Sequence, residues 1–358
     1  MVAASVLTEV GAAQQVRDID LRPLGPSDVQ VQIAAAGVCH SDLSLATGVL
    51  RQQLPAVLGH EGSGTVIAVG ADVTRVSTGD RVVLNWAPPC RTCWFCTHSE
   101  PWLCEKSLAA AEKSHAWVDG IDVFPGLGTG AFAEQTVVPE TAVIPIGADV
   151  PLEVAALLGC AVLTGVGAVS NSARLRHGES IVVLGLGGVG LSALQGARLG
   201  GAASIIAVDV AADKEPLARR CGATEFLVAA DDVPKQIRKL TDGRGADAAI
   251  ECVGRAATIR QAWSATRRGG RTVVVGIGSS DDRAEFGALE VFHFARSLIG
   301  CVYGSSDPDV EVPRLISAWQ QGRLDLEALA TERCGLDGID DAFERMRGGK
   351  GGRTLAIP

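Results

Sequence analysis

Residues 180–199 constrain the fold more than any other stretch of the chain. Ser180 opens a short apolar run, Ile-Val-Val-Leu, which leads at once into Gly185-Leu-Gly187-Gly188-Val189-Gly190 and then into a helix-like pattern, Leu-Ser-Ala-Leu-Gln-Gly-Ala-Arg-Leu. Such glycine spacing is weak evidence alone, but a strand before it and a helix after it are the setting in which it binds a dinucleotide. Gly185 permits the tight turn, Gly187 lets backbone approach the pyrophosphate and Gly190 lets the helix pack closely. The helix N-terminus then faces the phosphates. Nineteen residues beyond Gly190, the run Ser-Ile-Ile-Ala-Val ends in Asp209. A carboxylate there accepts hydrogen bonds from the adenosine ribose and repels a 2′-phosphate, which predicts NAD over NADP. Lys214 is a candidate to lie over the adenine ribose. Further strands are expected at 225–228, 247–252, 271–277 and 297–303, with helices between the first three. Six parallel strands in two halves make a doubly wound α/β sheet with the cofactor at the strands' carboxyl ends.

The first third reads differently. Val29–Ile33 alternates apolar and polar residues, as a half-buried strand does, and strands are also expected at 62–69, 80–84 and 131–138. Cys39 and His60 are soft and borderline donors that suit Zn²⁺, and Cys160 is the natural third ligand, leaving a fourth position open. Two thiolates and a neutral imidazole cancel the metal's charge. Such a site can hold an alkoxide, because the metal strongly lowers the pKa of a bound hydroxyl. Ser41 can pass a proton, Asp42 can fix the tautomer of a ligating His, and Glu61 is either an outer carboxylate or an occasional ligand. Cys90, Cys93, Cys96 and Cys104 have the spacing of a closed four-thiolate structural zinc site. His98 in the same loop reads as solvated, His115 as a surface side chain that could otherwise reach an active site, and Cys221, Cys252, Cys301 and Cys334 as unliganded. Helices are expected at 312–321 and 339–346.

Composition narrows the class. The chain has 358 residues, enough for two cores, with 43 glycines, 4% aromatics and a net charge of −9. That balance, without any basic stripe, argues against a nucleic-acid surface. No Lys or Arg precedes Arg17, so the positive region of a secretory signal is missing. Ten cysteines without that signal point to metal binding or buried thiols in a reducing compartment, the cytoplasm. The uncharged runs at 154–169 and 181–197 are broken by glycines and read as buried structure rather than membrane spans.

In their order and spacing, Gly-Val-Cys-His-Ser-Asp at 37–42, Gly-His-Glu at 59–61, the four-cysteine lobe, Gly-Cys at 159–160 and the glycine motif leading to Asp209 resemble the medium-chain zinc-dependent alcohol dehydrogenases over essentially the whole chain. The resemblance implies a GroES-like, mostly β catalytic domain at 1–161 with its zinc lobe at about 88–106, a Rossmann domain at 162–302, and a return to the catalytic domain at 303–358. It implies two zinc ions per subunit, with Cys39, His60 and Cys160 on the catalytic ion. Ser41 would take the alcohol proton, Asp42 would orient His60, and Glu61 would be a transient ligand. It places His40 and Arg353 on the cofactor pyrophosphate and Thr164 and Val189 against the nicotinamide. Gly188, Val253 and Ile277 join the cofactor site, while Trp86, Gly126, Leu127 and again Ile277 line the substrate pocket. The implied reaction is reversible, NAD-linked oxidation of primary alcohols to aldehydes in a homodimer, with a homotetramer as the other assembly.

Two departures from the family pattern matter. Ser44 stands where many relatives carry a His that ends the proton relay. Gly126 stands where relatives carry a bulky ring, which would open space for aromatic or longer-chain alcohols. Rival readings are an S-hydroxymethyl-thiol dehydrogenase, a polyol dehydrogenase and a non-catalytic NAD(P)-binding protein of the same fold. Against the first, residues 48–58 hold no acidic side chain and include Arg51. Against the others, Cys160, the remaining two ligands and Ser41 are intact.

Overall fold

The computed structural model describes residues 1–358, which divide into two compact units. One comprises 162–306 with 318–329, and the other 1–161 with 307–317 and 330–358.

The 162–306 unit is built on six parallel strands: β1 (Ser180–Leu184), β2 (Ser204–Asp209), β3 (Glu225–Val228), β4 (Ala246–Glu251), β5 (Thr266–Val274) and β6 (Ser297–Gly300). Their spatial order is β3-β2-β1-β4-β5-β6, the two-halved arrangement whose order reverses beside β1. The four central apolar residues of β1 are fully or almost fully buried, because helices cover both faces of such a sheet. β3 falls where the sequence predicts it, whereas β5 begins five residues earlier and ends three earlier than expected, and β6 is shorter. One helix, Ala288–Phe294, was not expected. Its large apolar residues Leu289 and Phe292 are exposed, so it lacks the buried stripe that makes a helix readable.

The other unit is mostly β. A closed barrel links Val2–Leu7, Gln15–Leu21, Ala116–Val118, Ile121–Pro125 and Ala56–Val57. A seven-stranded sheet centres on Asp28–Val38, which pairs with Glu61–Val69 on one edge and with the C-terminal strand Arg353–Ala356 near its end. Expectation and structure differ at 131–138: strand begins only at Gln135, and Ala133 makes an isolated bridge to Ala4. The run at 154–169 is broken into the helix Leu152–Ala156, a 3₁₀ turn at Leu157–Gly159 and the helix Ala161–Gly167. No single helix is long and apolar enough to cross a membrane.

Candidate metal and dinucleotide sites

Cys39 ends the Asp28–Val38 strand and begins the helix His40–Ala46. The carboxylate of Asp42, fully buried, closes this junction by accepting the Cys39 N–H at 3.1 Å through Oδ2. Its Oδ1 meets the Gly59 N–H at 3.0 Å and His60 Nδ1 at 2.9 Å. One side chain thus fixes two ligand-bearing loops and turns His60 so that Nε2 faces Cys160 Sγ at 3.4 Å. The donor atoms of Cys39, His60 and Cys160 all lie within 4.8 Å of one another, and all three residues are buried. Zinc with bonds of about 2.0–2.3 Å needs a tetrahedral S···N edge of roughly 3.5 Å, so the residues fit the ion.

The three buried donors perturb one another strongly. A hydrogen bond from Cys160 holds the Cys39 thiol well below its usual pKa, with help from Arg353 and His60, while Cys160 is pushed up by that bond and by burial. Burial alone would depress His60, but Asp42 and Cys39 more than reverse it. Ser41 Oγ lies 3.8 Å from Cys39 Sγ. Glu61 stands behind the ligands, with Oε1 accepting the Ala161 N–H at 2.6 Å and Oε2 3.2 Å from Arg353 Nε. Burial raises Glu61 to about 7 against the pull of Arg353. Arg353, itself buried, also donates to the Val38 carbonyl at 2.8 Å. This second layer was legible only as a guess at Glu61, since the Arg353–Glu61 pair joins residues at opposite ends of the chain.

The four cysteines of the lobe also converge, within 4.8 Å of one another. Cys90 Sγ is 4.0 Å from Cys96 Sγ and Cys93 Sγ is 3.9 Å from Cys104 Sγ, close to the edge of about 3.8 Å that a tetrahedral zinc–thiolate site requires. Backbone N–H groups point at the sulfurs: Cys90 to Cys104 at 3.2 Å, Cys93 to Cys90 at 3.3 Å and Lys106 to Cys104 at 3.4 Å. Arg91 pairs with Asp307 and Asp309, tying the lobe to the start of the helix Pro308–Gln320. His98 is exposed, its ring stacked on Trp94 at 4.2 Å. His115 is not a surface residue: it is 5% exposed, Nδ1 faces the Val123 carbonyl at 3.2 Å, and burial lowers its pKa to about 4.

In the Rossmann unit the glycines have distinct surroundings. Gly185 has φ +87°, and a Cβ there would meet Val253 at 2.7 Å. A Cβ at Gly190 would strike the Gly185 carbonyl at 1.9 Å, whereas Gly187 faces open space. The helix Gly188–Leu199 starts at this opening. Asp209 is held by backbone: Oδ2 accepts the Leu186 N–H at 2.7 Å and Oδ1 the Ala211 N–H at 3.0 Å. Lys214 Nζ reaches the Leu186 carbonyl at 3.2 Å and Asp209 at 3.4 Å, so the ammonium braces the glycine loop. Val253 and Ile277 lie beyond the carboxyl ends of β4 and β5, and Glu251, unremarked in the sequence, accepts the Val253 and Gly254 N–H groups at 2.9 Å. Thr164 stands next to Gly165, whose missing Cβ lets the Val189 carbonyl approach. His40 is exposed at the first turn of its helix.

For the substrate pocket one expectation is corrected. Gly126 is buried and a Cβ there would lie 2.8 Å from Leu58 Cα, so the absent side chain is replaced by neighbouring backbone rather than by space. Leu127 follows in the left-handed region at φ +49°, and Trp86 meets His60 edge-on at 6.1 Å.

A GroES-like β unit carrying two zinc-competent clusters, in one chain with a dinucleotide-type sheet, defines a zinc-binding dehydrogenase. Residues 25–148 match the alcohol dehydrogenase GroES-like domain and residues 188–319 the zinc-binding dehydrogenase domain. S-(hydroxymethyl)glutathione dehydrogenase of Paracoccus denitrificans is 32% identical over 99% of both chains. Among solved structures, an alcohol dehydrogenase zinc-binding domain protein from Burkholderia ambifaria is 32% identical with a TM-score of 0.93, covering 100% of this chain and 99% of its own. Benzyl alcohol dehydrogenase from Acinetobacter calcoaceticus is 31% identical with a TM-score of 0.91, covering 99% of both chains. The chain belongs to the medium-chain zinc-dependent alcohol dehydrogenase family, oxidoreductases that act on alcohols.

Proposed function

We propose that this protein catalyses reversible, NAD-linked oxidation of primary alcohols, aromatic or longer-chain, to aldehydes, with two zinc ions per subunit. The observation that carries the reading is the Cys39–His60–Cys160 cluster with Asp42 hydrogen-bonded to His60. When bound, zinc would supply Lewis acidity toward the alcohol hydroxyl and the nicotinamide would accept hydride. Cys39, His60 and Cys160 would hold the ion with one position open, and Cys90, Cys93, Cys96 and Cys104 would hold the structural ion with none. Asp42 keeps His60 in the tautomer whose Nε2 lone pair faces the ion. Ser41, whose Oγ lies 3.8 Å from Cys39 Sγ, would take the hydroxyl proton. With Ser44 in place of the usual His, and that residue buried, the proton leaves the Ser41 hydroxyl for water or another base. Glu61 and Arg353 face one another behind the thiolates, 3.2 Å apart.

Cofactor choice rests on Asp209, whose carboxylate stands at the end of β2 and disfavours a 2′-phosphate. Gly187 leaves room for the pyrophosphate, with Gly185, Gly188 and Gly190 shaping the turn; His40 and Arg353 are its proposed contacts, and Lys214 borders the ribose. Thr164, Val189, Val253 and Ile277 enclose the nicotinamide half. Trp86, Leu127 and Ile277 are the proposed substrate-side residues, and likeness to the benzyl alcohol dehydrogenase supports an aromatic preference that the buried Gly126 does not. The relative from Paracoccus favours a second reading, an S-hydroxymethyl-thiol substrate. A homodimer would form through β6, an edge strand that exposes Leu298, beside the exposed Leu289 and Phe292.

Zinc content per subunit, measured with NAD⁺-coupled turnover of benzyl alcohol, ethanol and the formaldehyde–glutathione adduct, tests these points together. Two zincs and a specificity constant highest for benzyl alcohol are expected. Preference for the adduct would establish the second reading, and preference for ethanol would remove the aromatic one.

A further inference from the structure

At the end of the Rossmann sheet opposite the glycine loop, a cavity of about 670 Å³ is lined by Arg238, Gly243, Arg244, Arg267, Arg268, Phe294 and Arg296. The sheet itself gathers these cations. Gly243 and Arg244 precede β4, Arg267 and Arg268 begin β5, and Arg296 precedes β6, so their side chains meet at the amino ends of three adjacent strands. The glycine loop leaves the carboxyl end of β1, at the opposite end of the strands.

Five guanidiniums around one opening is unusual in a chain of net charge −9. Only two have carboxylate partners: Arg267 pairs with Asp247 at 2.5 Å and Arg244 with the exposed Asp242 at 3.1 Å. Arg238 donates to the Ser264 carbonyl at 3.0 Å, and Arg296 to the Thr266 and Arg267 carbonyls at 2.6 and 3.3 Å. Arg268 reaches His293 Nε2 at 2.6 Å. These bonds aim the side chains without neutralising them. Burial, with the neighbouring guanidiniums of Arg238 and Arg260, depresses the proton affinity of Arg296 against the pull of Glu290. Like charges held together in this way repel, and a bound anion relieves that cost.

The geometry points to a second ligand site here, for a small non-aromatic molecule carrying two phosphate groups. Three guanidiniums without carboxylates match the charge of two phosphate monoesters, each about −1.5 to −2 at neutral pH, and the planar forks of arginine suit phosphate oxygens. The volume exceeds what a single phosphate fills. Phe294, the one ring in the wall, is already engaged by Arg296 at 4.4 Å and Arg268 at 5.7 Å, which leaves no free stacking platform for a nucleobase.

Calorimetry with fructose 1,6-bisphosphate as probe, on zinc-loaded enzyme in saturating NAD⁺ and about 0.15 M salt, tests the site. Expected are one binding event per subunit, at least tenfold weaker binding of fructose 6-phosphate, and at least tenfold weaker bisphosphate binding by Arg268→Ser. Alcohol turnover without the probe should be unchanged in that variant. Arg268→Lys, which keeps the charge and loses the fork, should bind about threefold more weakly and decides the matter if Arg268→Ser unfolds early. No binding, equal binding by all variants, or binding abolished by NAD⁺ would overturn the proposal.

Discussion

The two cysteine-rich clusters share ligand chemistry and differ in how the chain makes them. The four-thiol lobe is local: its ligands fall within Cys90–Cys104, two are only half-buried, and their own backbone N–H groups point at the sulfurs. The Cys39–His60–Cys160 cluster is assembled from distant segments, with His60 and Cys160 separated by 100 positions, and is buried throughout. Four thiolates around one point saturate a tetrahedral ion, whereas three donors leave a vertex for chemistry. A local cage can therefore brace a loop, while an open site must be held by the fold, here through Asp42.

The strongest way to break this comparison is to remove one ligand from each cluster. Cys160→Ala should cost one zinc per subunit and lower turnover by at least about a thousandfold, with the other zinc retained; metal analysis and steady-state rates on one sample check this. Cys104→Ser should also cost one zinc, but its effect should fall on stability, with the melting temperature dropping by about 5 °C or more and turnover of the folded fraction staying within about threefold. Equal kinetic damage from both changes would show that the lobe is not merely a brace. Asp42→Asn isolates the support of the open site: about 10- to 100-fold weaker catalytic zinc binding is expected, read by competition with a chelator, with lobe zinc unaffected.

A third buried group sharpens the contrast. His60 and His115 are both buried, yet Asp42 and Cys39 drive the first up, whereas burial without a counter-charge drives the second to about 4. At and above neutral pH His115 is neutral in both folded and unfolded chains. As pH falls from about 6.5 toward 4, the unfolded chain gains a proton that the folded chain refuses, and stability falls; below that window the loss levels off. The stability lost between pH 7 and pH 5 through this group is about 2 kcal/mol. Denaturant unfolding of His115→Gln at the two pH values should show that part of the acid sensitivity removed. An effect of similar size is expected at Gly126, where Gly126→Ala should cost about 1–3 kcal/mol of stability because its Cβ would meet Leu58 Cα. A clear change in substrate preference without that loss would restore Gly126 as a pocket residue.

Much of this was legible because its signals are local. The glycine turn, the lobe cysteines and the apolar strands β1 and β2 announce themselves within a few residues, since backbone geometry and thiolate spacing act over that range. The helix Ala288–Phe294, the burial of His115 and the backbone filling beside Gly126 were not legible, because each depends on what packs against it. The ion pair of Arg353 with Glu61 is of the same kind.

The order of residues alone determined which chemistry is available: thiol and imidazole donors, a hydroxyl and a carboxylate beside them, and a dinucleotide turn ending in Asp209. Only the tertiary structure decided where those groups meet. It gave Asp42 three partners at once, set Glu61 against Arg353, turned Asp209 into a brace for the glycine loop, and collected arginines from three strand ends around one cavity. The physical reason is range: turn preference and ligand spacing are properties of neighbours in sequence, whereas burial, charge pairing and desolvation belong to neighbours in space.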